Sequence, residues 1–114
     1  MAAIFLKKIK DPVAALYTAG TTLYIVTKAG QLLAYTLSGG TTVNTAYIRG
    51  PVSCIFADAT YIWVGMSDGR FIRYTIATKA NSLLVRFDSP ITAICWLTNI
   101  WYIGTADGKI HSFA

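Results

Sequence analysis

The sequence predicts an all-β fold made of three four-stranded antiparallel repeats, each of about 40 residues. Three observations lead there. Pro12, Pro51 and Pro90 recur at one constant interval, and Gly30, Gly69 and Gly108 keep the same spacing. Apolar and aromatic positions hold the same register: Leu16, Ile55 and Ile94; Ile25, Val64 and Ile103; Tyr35, Tyr74 and Phe113. Finally, the chain is 54% hydrophobic and rich in Tyr, Trp, Phe, Ile, Val and Thr, residues that favour pleated strands. Self-similarity at a fixed period of this size marks tandem supersecondary units, none of which can bury its apolar faces alone.

Each repeat divides into four strands. The first follows the proline, which at a strand head need not donate to the ladder, and covers 13–17, 52–56 and 91–96. The second is the aromatic-rich run 22–27, 61–66 and 100–105. A tight turn follows. Asp68-Gly69 and Asp107-Gly108 are strong hairpin signals because Gly adopts positive φ without steric cost. The third strand ends at the repeated aromatic, over 31–36, 70–75 and 109–113, and a polar loop leads to the fourth, 42–48 and 82–87. No helical periodicity competes.

The repeat phase is offset from the chain ends. Residues 3–10, Ala-Ile-Phe-Leu-Lys-Lys-Ile-Lys, occupy a fourth-strand position, with Ile9 aligned to Ile48 and Phe87. The predicted layout is an outer closing strand at 1–11, complete repeats at 12–50 and 51–89, and a third repeat at 90–114 without its outer strand.

Four antiparallel strands per unit and an Asp-Gly-x-apolar-x-x-aromatic third strand resemble a β-propeller blade. Ser67-Asp68-Gly69-Arg70-Phe71-Ile72-Arg73-Tyr74-Thr75 and Pro51-Val52-Ser53-Cys54-Ile55-Phe56 are similar to segments of WD-repeat blades. The Trp-Asp pair of that family is replaced by Tyr35-Thr36, Tyr74-Thr75 and Phe113-Ala114, so its hydrogen-bonded tetrad is incomplete. Trp63-Val64-Gly65 and Tyr102-Ile103-Gly104 also look like quinoprotein-type blades. The resemblance implies a propeller closed by its N-terminal strand. Propellers hold about four to eight blades, so three are too few for a ring. A homodimer of six blades is the expected closure, with a trimer as the second. Ile4, Phe5, Leu6 and Ile9 of the closing strand would then complete a neighbour's third blade. A half-propeller excised from a longer chain, or designed, is the remaining alternative.

Composition narrows the function. No run of about 18 apolar residues is present to suggest a membrane-spanning helix, and the first eight residues lack the charge order of a secretory signal. Cys54 and Cys95 both fall in apolar runs and read as small buried hydrophobes. These features favour an intracellular, cytoplasmic setting. Catalysis finds no constellation: His111 is the only histidine, the five acids are all Asp, and no G-x-S-x-G, Cys/His cluster or phosphate-cradling loop occurs. No cofactor or metal is expected. Trp63, Trp96 and Trp101 read as packing between blades.

The expectation is therefore a non-catalytic interaction scaffold. In an up-and-down blade, the second-to-third turns and the links between blades share one side of the disc. That side gathers Lys10, Arg49, Arg70 and Lys109, the candidate face for a protein or peptide partner. A net charge of +5 makes nucleic acid or another polyanion the alternative ligand. Lys7 and Lys8 also fit a simpler role, since edge strands carry lysine to block edge-to-edge aggregation.

Overall fold

In the computed structural model, which describes residues 3–114, every regular element is a strand, and within each of three sheets the strands pair in sequence order. The first sheet contains β1 (Val13–Ala19), β2 (Thr22–Thr27), β3 (Gln31–Thr36) and β4 (Thr42–Tyr47). The second contains β5 (Val52–Ala57), β6 (Tyr61–Met66), β7 (Arg70–Thr75) and β8 (Ala80–Arg86). The third has only β9 (Ile91–Leu97), β10 (Ile100–Thr105) and β11 (Ile110–Phe113). All pairings are antiparallel. The strands expected from residue 13 onward are present, with β8 starting two residues earlier than the sequence suggests.

The sheets stack face to face as blades, and β5 touches both β1 and β9. Strand alternation sends successive side chains to opposite faces, so each sheet must be covered twice. Between blades 1 and 2 lie Val26, Leu32, Ile48, Ile55, Ile62, Val64, Met66 and Tyr74, all buried. Between blades 2 and 3 lie Phe71, Ile91, Trp101 and Ile103, with Phe56 and Trp63 packed on them. Each such side chain contributes roughly 1.5–3 kcal/mol on burial. Blade 2 is therefore sandwiched. Ser53 ties the inner strands together, its hydroxyl donating to the Ile91 carbonyl at 2.5 Å.

Blades 1 and 3 each keep one face without a neighbour. On blade 1 that face carries Ile25, Leu33 and Tyr35, with Leu16 and Leu37 exposed. On blade 3 it carries Cys95, Leu97, Tyr102 and Ile110, all exposed.

Two expectations change, and the closing strand has no edge within reach in a single chain. Residues 3–10 form no strand within the chain; Met1 and Ala2 lie outside the described residues. Ile4 and Phe5 are each 80% exposed, and the segment lies along the free face of blade 1. There it lines a cleft of about 310 Å³ with Val13, Leu16, Leu23, Ile25 and Tyr35, while Ile9 packs on the Ile25–Leu33–Tyr35 cluster. The reason is geometric: the edge such a strand would extend is β11, on the opposite blade, so the apolar side chains settle on the nearest apolar surface. Cys95 is exposed rather than buried, because its side of blade 3 has no neighbouring blade. Trp96 is 45% exposed although it stands on the face turned toward blade 2. Its repeat equivalent, Ala57, is 4% exposed, so the position accepts a methyl group and an indole overhangs it.

Candidate functional site

The turn side of the disc is built by repetition. Gly30, Gly69 and Gly108 have φ of 90°, 91° and 84°, a left-handed region that only Gly enters freely. In the first two blades the glycine carbonyl is occupied: Ile48 N–H donates to Gly30 at 2.7 Å, and Phe87 N–H donates to Gly69 at 2.8 Å. The Cα of Gly108 faces open space, with nothing within 4 Å of where a Cβ would stand.

Aspartates shape these turns. Asp68 Oδ1 accepts from the Arg70 amide at 3.2 Å, and its Oδ2 pairs with Arg70 Nε at 2.8 Å. Asp107 accepts from the Thr105 hydroxyl at 2.5 Å and from the Lys109 amide at 3.4 Å. The Thr105 hydrogen bond, aided by Lys109, holds the Asp107 carboxyl below the usual carboxylate range. His111 Nε2 lies 3.5 Å from the Thr105 hydroxyl, and its ring packs on Phe87 with centroids 4.3 Å apart.

The four predicted cations do not form one cluster. Arg49 and Arg70 share a cleft of about 270 Å³ with Tyr47 and Asn81, and Arg70 Nη2 donates to the Arg49 carbonyl at 3.2 Å. Lys109 lines a separate cavity of about 170 Å³ with Arg86, Ser89, Asp107 and His111. Lys10 lines neither. Arg70 is committed to Asp68, and Lys109 Nζ reaches Asp107 at 3.7 Å, so each carries a built-in counter-charge. Among the described residues no group of three metal-ligating side chains converges.

The opposite side of the disc holds a cleft that sequence reasoning missed. It lies between blades 2 and 3, measures about 340 Å³, and is lined by Phe56, Asp58, Tyr61, Trp63, Trp96, Asn99 and Trp101. Trp63 and Trp101 meet with centroids 4.9 Å apart. Phe56 stands edge-on to Trp101 at 5.1 Å and to Trp63 at 5.8 Å. Asp58 Oδ1 accepts from the Thr60 and Tyr61 amides at 2.8 and 2.7 Å, which fixes the carboxylate at the turn. The signal was present in the sequence: blade 3 has Trp96 and Trp101 where blade 2 has Ala57 and Ile62.

No family model matches the sequence, and no curated protein matches it. Among solved structures, the chain is similar to the computationally designed Ika8 protein, with a TM-score of 0.76 at 21% identity over 95% of this chain and 35% of that one. It is also similar to the designed Ika4 protein, with a TM-score of 0.69 at 14% identity over 99% of this chain and 98% of that one. Hsv2 of Kluyveromyces lactis gives a TM-score of 0.72 at 12% identity over 91% of this chain and 33% of that one. The chain thus spans about a third of Ika8 and Hsv2 and nearly the whole of Ika4. These likenesses, to β-propeller proteins, establish the fold: the chain consists of three propeller blades.

Proposed function

We propose that this protein is a non-catalytic scaffold, a half-propeller whose copies close into a ring and whose turn side receives a protein or peptide segment. The observation that carries the reading is the open edge of the third blade. Among the described residues its outer strand, β11, has β10 on one side and no strand on the other, and Gly108 lacks the close neighbours that Gly30 and Gly69 have. The repeat register puts Ile9 of a second copy where Ile48 and Phe87 stand in the first two blades.

The two free faces support the same closure. One presents Leu16, Ile25 and Leu33, which the repeat aligns with the buried Ile55, Val64 and Ile72; the other presents Tyr102 and Ile110, aligned with the half-buried Trp63 and the buried Phe71. Each 100 Å² of apolar surface so covered contributes roughly 2.5 kcal/mol, and exposed apolar faces of this kind drive association. Two copies would provide six blades. The Ika4 likeness, over nearly all of a chain of similar length, is in keeping with a unit of this size.

For the turn side, the cleft beside Arg49 is the favoured contact, because Arg70 and Lys109 are already engaged by Asp68 and Asp107. Light scattering tests the assembly: a mass of twice 12.4 kDa is expected, and a monodisperse 12.4 kDa species overturns it. Deleting residues 1–10 should dissolve the ring; a ring that survives this deletion removes the closing-strand assignment.

A further inference from the structure

The two blade junctions are built on the same repeat, so their lining residues can be compared position by position. At the junction of blades 1 and 2, the positions corresponding to Asp58, Tyr61, Trp63, Trp96 and Trp101 hold Ala19, Thr22, Tyr24, Ala57 and Ile62. That junction packs well with a single ring contact, Tyr17 against Phe56 at 4.6 Å, and leaves Ala57 and Ile62 buried. The junction of blades 2 and 3 spends three indoles at the same place, and one of them stays 45% exposed. Packing does not require Trp96.

A second departure lies in the turn beneath it. Thr98 and Asn99 link β9 to β10 with φ of 49° and 66°. Positive φ at both residues is what a two-residue type I′ hairpin loop requires, and the β-branched Thr98 is an uncommon occupant of that region. Asp58 and Asn99, the two polar residues of the lining, come from the facing β5–β6 and β9–β10 turns.

We propose that this cleft is a binding site for an organic quaternary ammonium group, held against the indoles of Trp63 and Trp96 over the buried Trp101 and balanced by the Asp58 carboxylate. Indole faces carry the negative end of the ring quadrupole and attract a cation within about 6 Å of the centroid, Trp most strongly. A methylated ammonium has no N–H donors and sheds water readily, so it suits an aromatic lining. A primary ammonium, strongly hydrated, does not. The Arg73 guanidinium sits 4.5 Å from the centroid of Tyr61, at the margin of the same aromatic cluster, so one ring here already holds a cation on its face. The net charge of +5 does not oppose the site, because salt at physiological strength screens distant charges beyond about 8 Å while Asp58 acts at contact. A volume of about 340 Å³ lies within the range of small-ligand clefts, roughly 300–1,000 Å³. The site lies within one chain, so it stands whether or not the ring forms.

All three tryptophans of the chain line this cleft, so intrinsic fluorescence reports on it directly. Choline is titrated into the full-length protein at constant ionic strength, against 3,3-dimethyl-1-butanol, its neutral isostere. The expected result is a saturable change in emission, at least tenfold weaker for the alcohol. Trp96→Ala should abolish it, and Asp58→Asn, which keeps the acceptor for the Thr60 and Tyr61 amides, should weaken it about tenfold. Equal binding of the alcohol, no saturable response up to the millimolar range, or undiminished binding in Asp58→Asn would overturn the proposal. Asp58→Asn also keeps the test decisive if Trp96→Ala does not fold. A peptide bearing trimethyllysine, compared with choline and with the unmodified peptide, separates the two sources of the group. Tighter binding of the methylated peptide assigns the site to a modified side chain, and tighter binding of choline to a free small molecule. A methylated peptide that binds no better than its unmodified form, with choline also silent, overturns both.

Discussion

Ile48 donates its backbone N–H to the carbonyl of Gly30 at 2.7 Å, fastening the end of the fourth strand to the turn that begins the third. Phe87 and Gly69 repeat the bond at 2.8 Å in blade 2. Blade 3 has the turn but not the strand. This difference sets the behaviour of the glycines. A Cβ at Gly69 would run into the Phe87 carbonyl, whereas one at Gly108 would meet nothing within 4 Å. In dilute, single-chain protein, Gly108→Ala should cost only the left-handed backbone, about 1–2 kcal/mol. Gly69→Ala should cost at least twice that, read as a lower Tm. Under conditions where the ring forms, the two losses should converge. Equal losses in monomeric protein would show that the Gly108 turn is already covered.

The two cysteines report on the free face of blade 3. Cys95 is exposed there, while Cys54 is half-buried between blades and its thiol is pushed up by burial. Since the thiolate is the reactive form, iodoacetamide should modify Cys95 first and Cys54 slowly. If the ring closes over this face, Cys95 labelling should fall steeply as protein concentration rises, with Cys54 unchanged. Mass spectrometry of the labelled peptides reads both rates. Concentration-independent labelling of Cys95 would mean the face stays open.

Tyr74 is 1% exposed, and its hydroxyl has no hydrogen-bond partner. Burial also pushes its phenol above the usual range. A buried polar group without a partner costs about 1–3 kcal/mol, and blade 3 manages the same position with Phe113. Tyr74→Phe should therefore leave stability unchanged or raise it by up to about 1 kcal/mol. For a chain of this length, 1 kcal/mol corresponds to roughly 4 °C in Tm. The parent protein should also lose stability on the alkaline side, because the unfolded phenol ionises near pH 10 while the folded one resists. Tyr74→Phe should flatten that loss. A marked fall in Tm at neutral pH would indicate a partner for the hydroxyl.

Asp107 carries the opposite sign. Its folded-state pKa is lowered from an ordinary value of 3.8 by the Thr105 hydroxyl first and by Lys109 after it. A lowered carboxylate contributes stability that is present above the ordinary value and lost as pH falls through the folded one. The Asp107-Gly108 turn should accordingly loosen below about pH 4, with faster hydrogen exchange at the Lys109 amide than at Arg70. In Asp107→Asn that acid-dependent step should be absent. Persistence of the step in the variant would assign it to another group.

Much of the architecture was legible from local chemistry. Prolines, glycines and the Asp-Gly turns act on their own backbone, and a pattern met three times over reinforces every signal, so strand positions followed closely. The turn side was also legible, since strand direction alone decides which turns share a side. Its pairings were less so: that Arg70 folds back on Asp68 depends on side-chain geometry no spacing encodes.

What the chain determined by itself is the order, length and phase of its strands. Tertiary structure decided which faces are covered, because burial depends on having a neighbour: Leu33, Ile72 and His111 share one repeat position, yet they meet an open flank, a packed blade and the Phe87 ring respectively. It likewise decided the fate of residues 3–10, whose backbone can join a ladder only where an unpaired edge is within reach. And it made a cleft of the tryptophans, since Trp96 takes the place of a buried methyl group and the excess volume can go only outward.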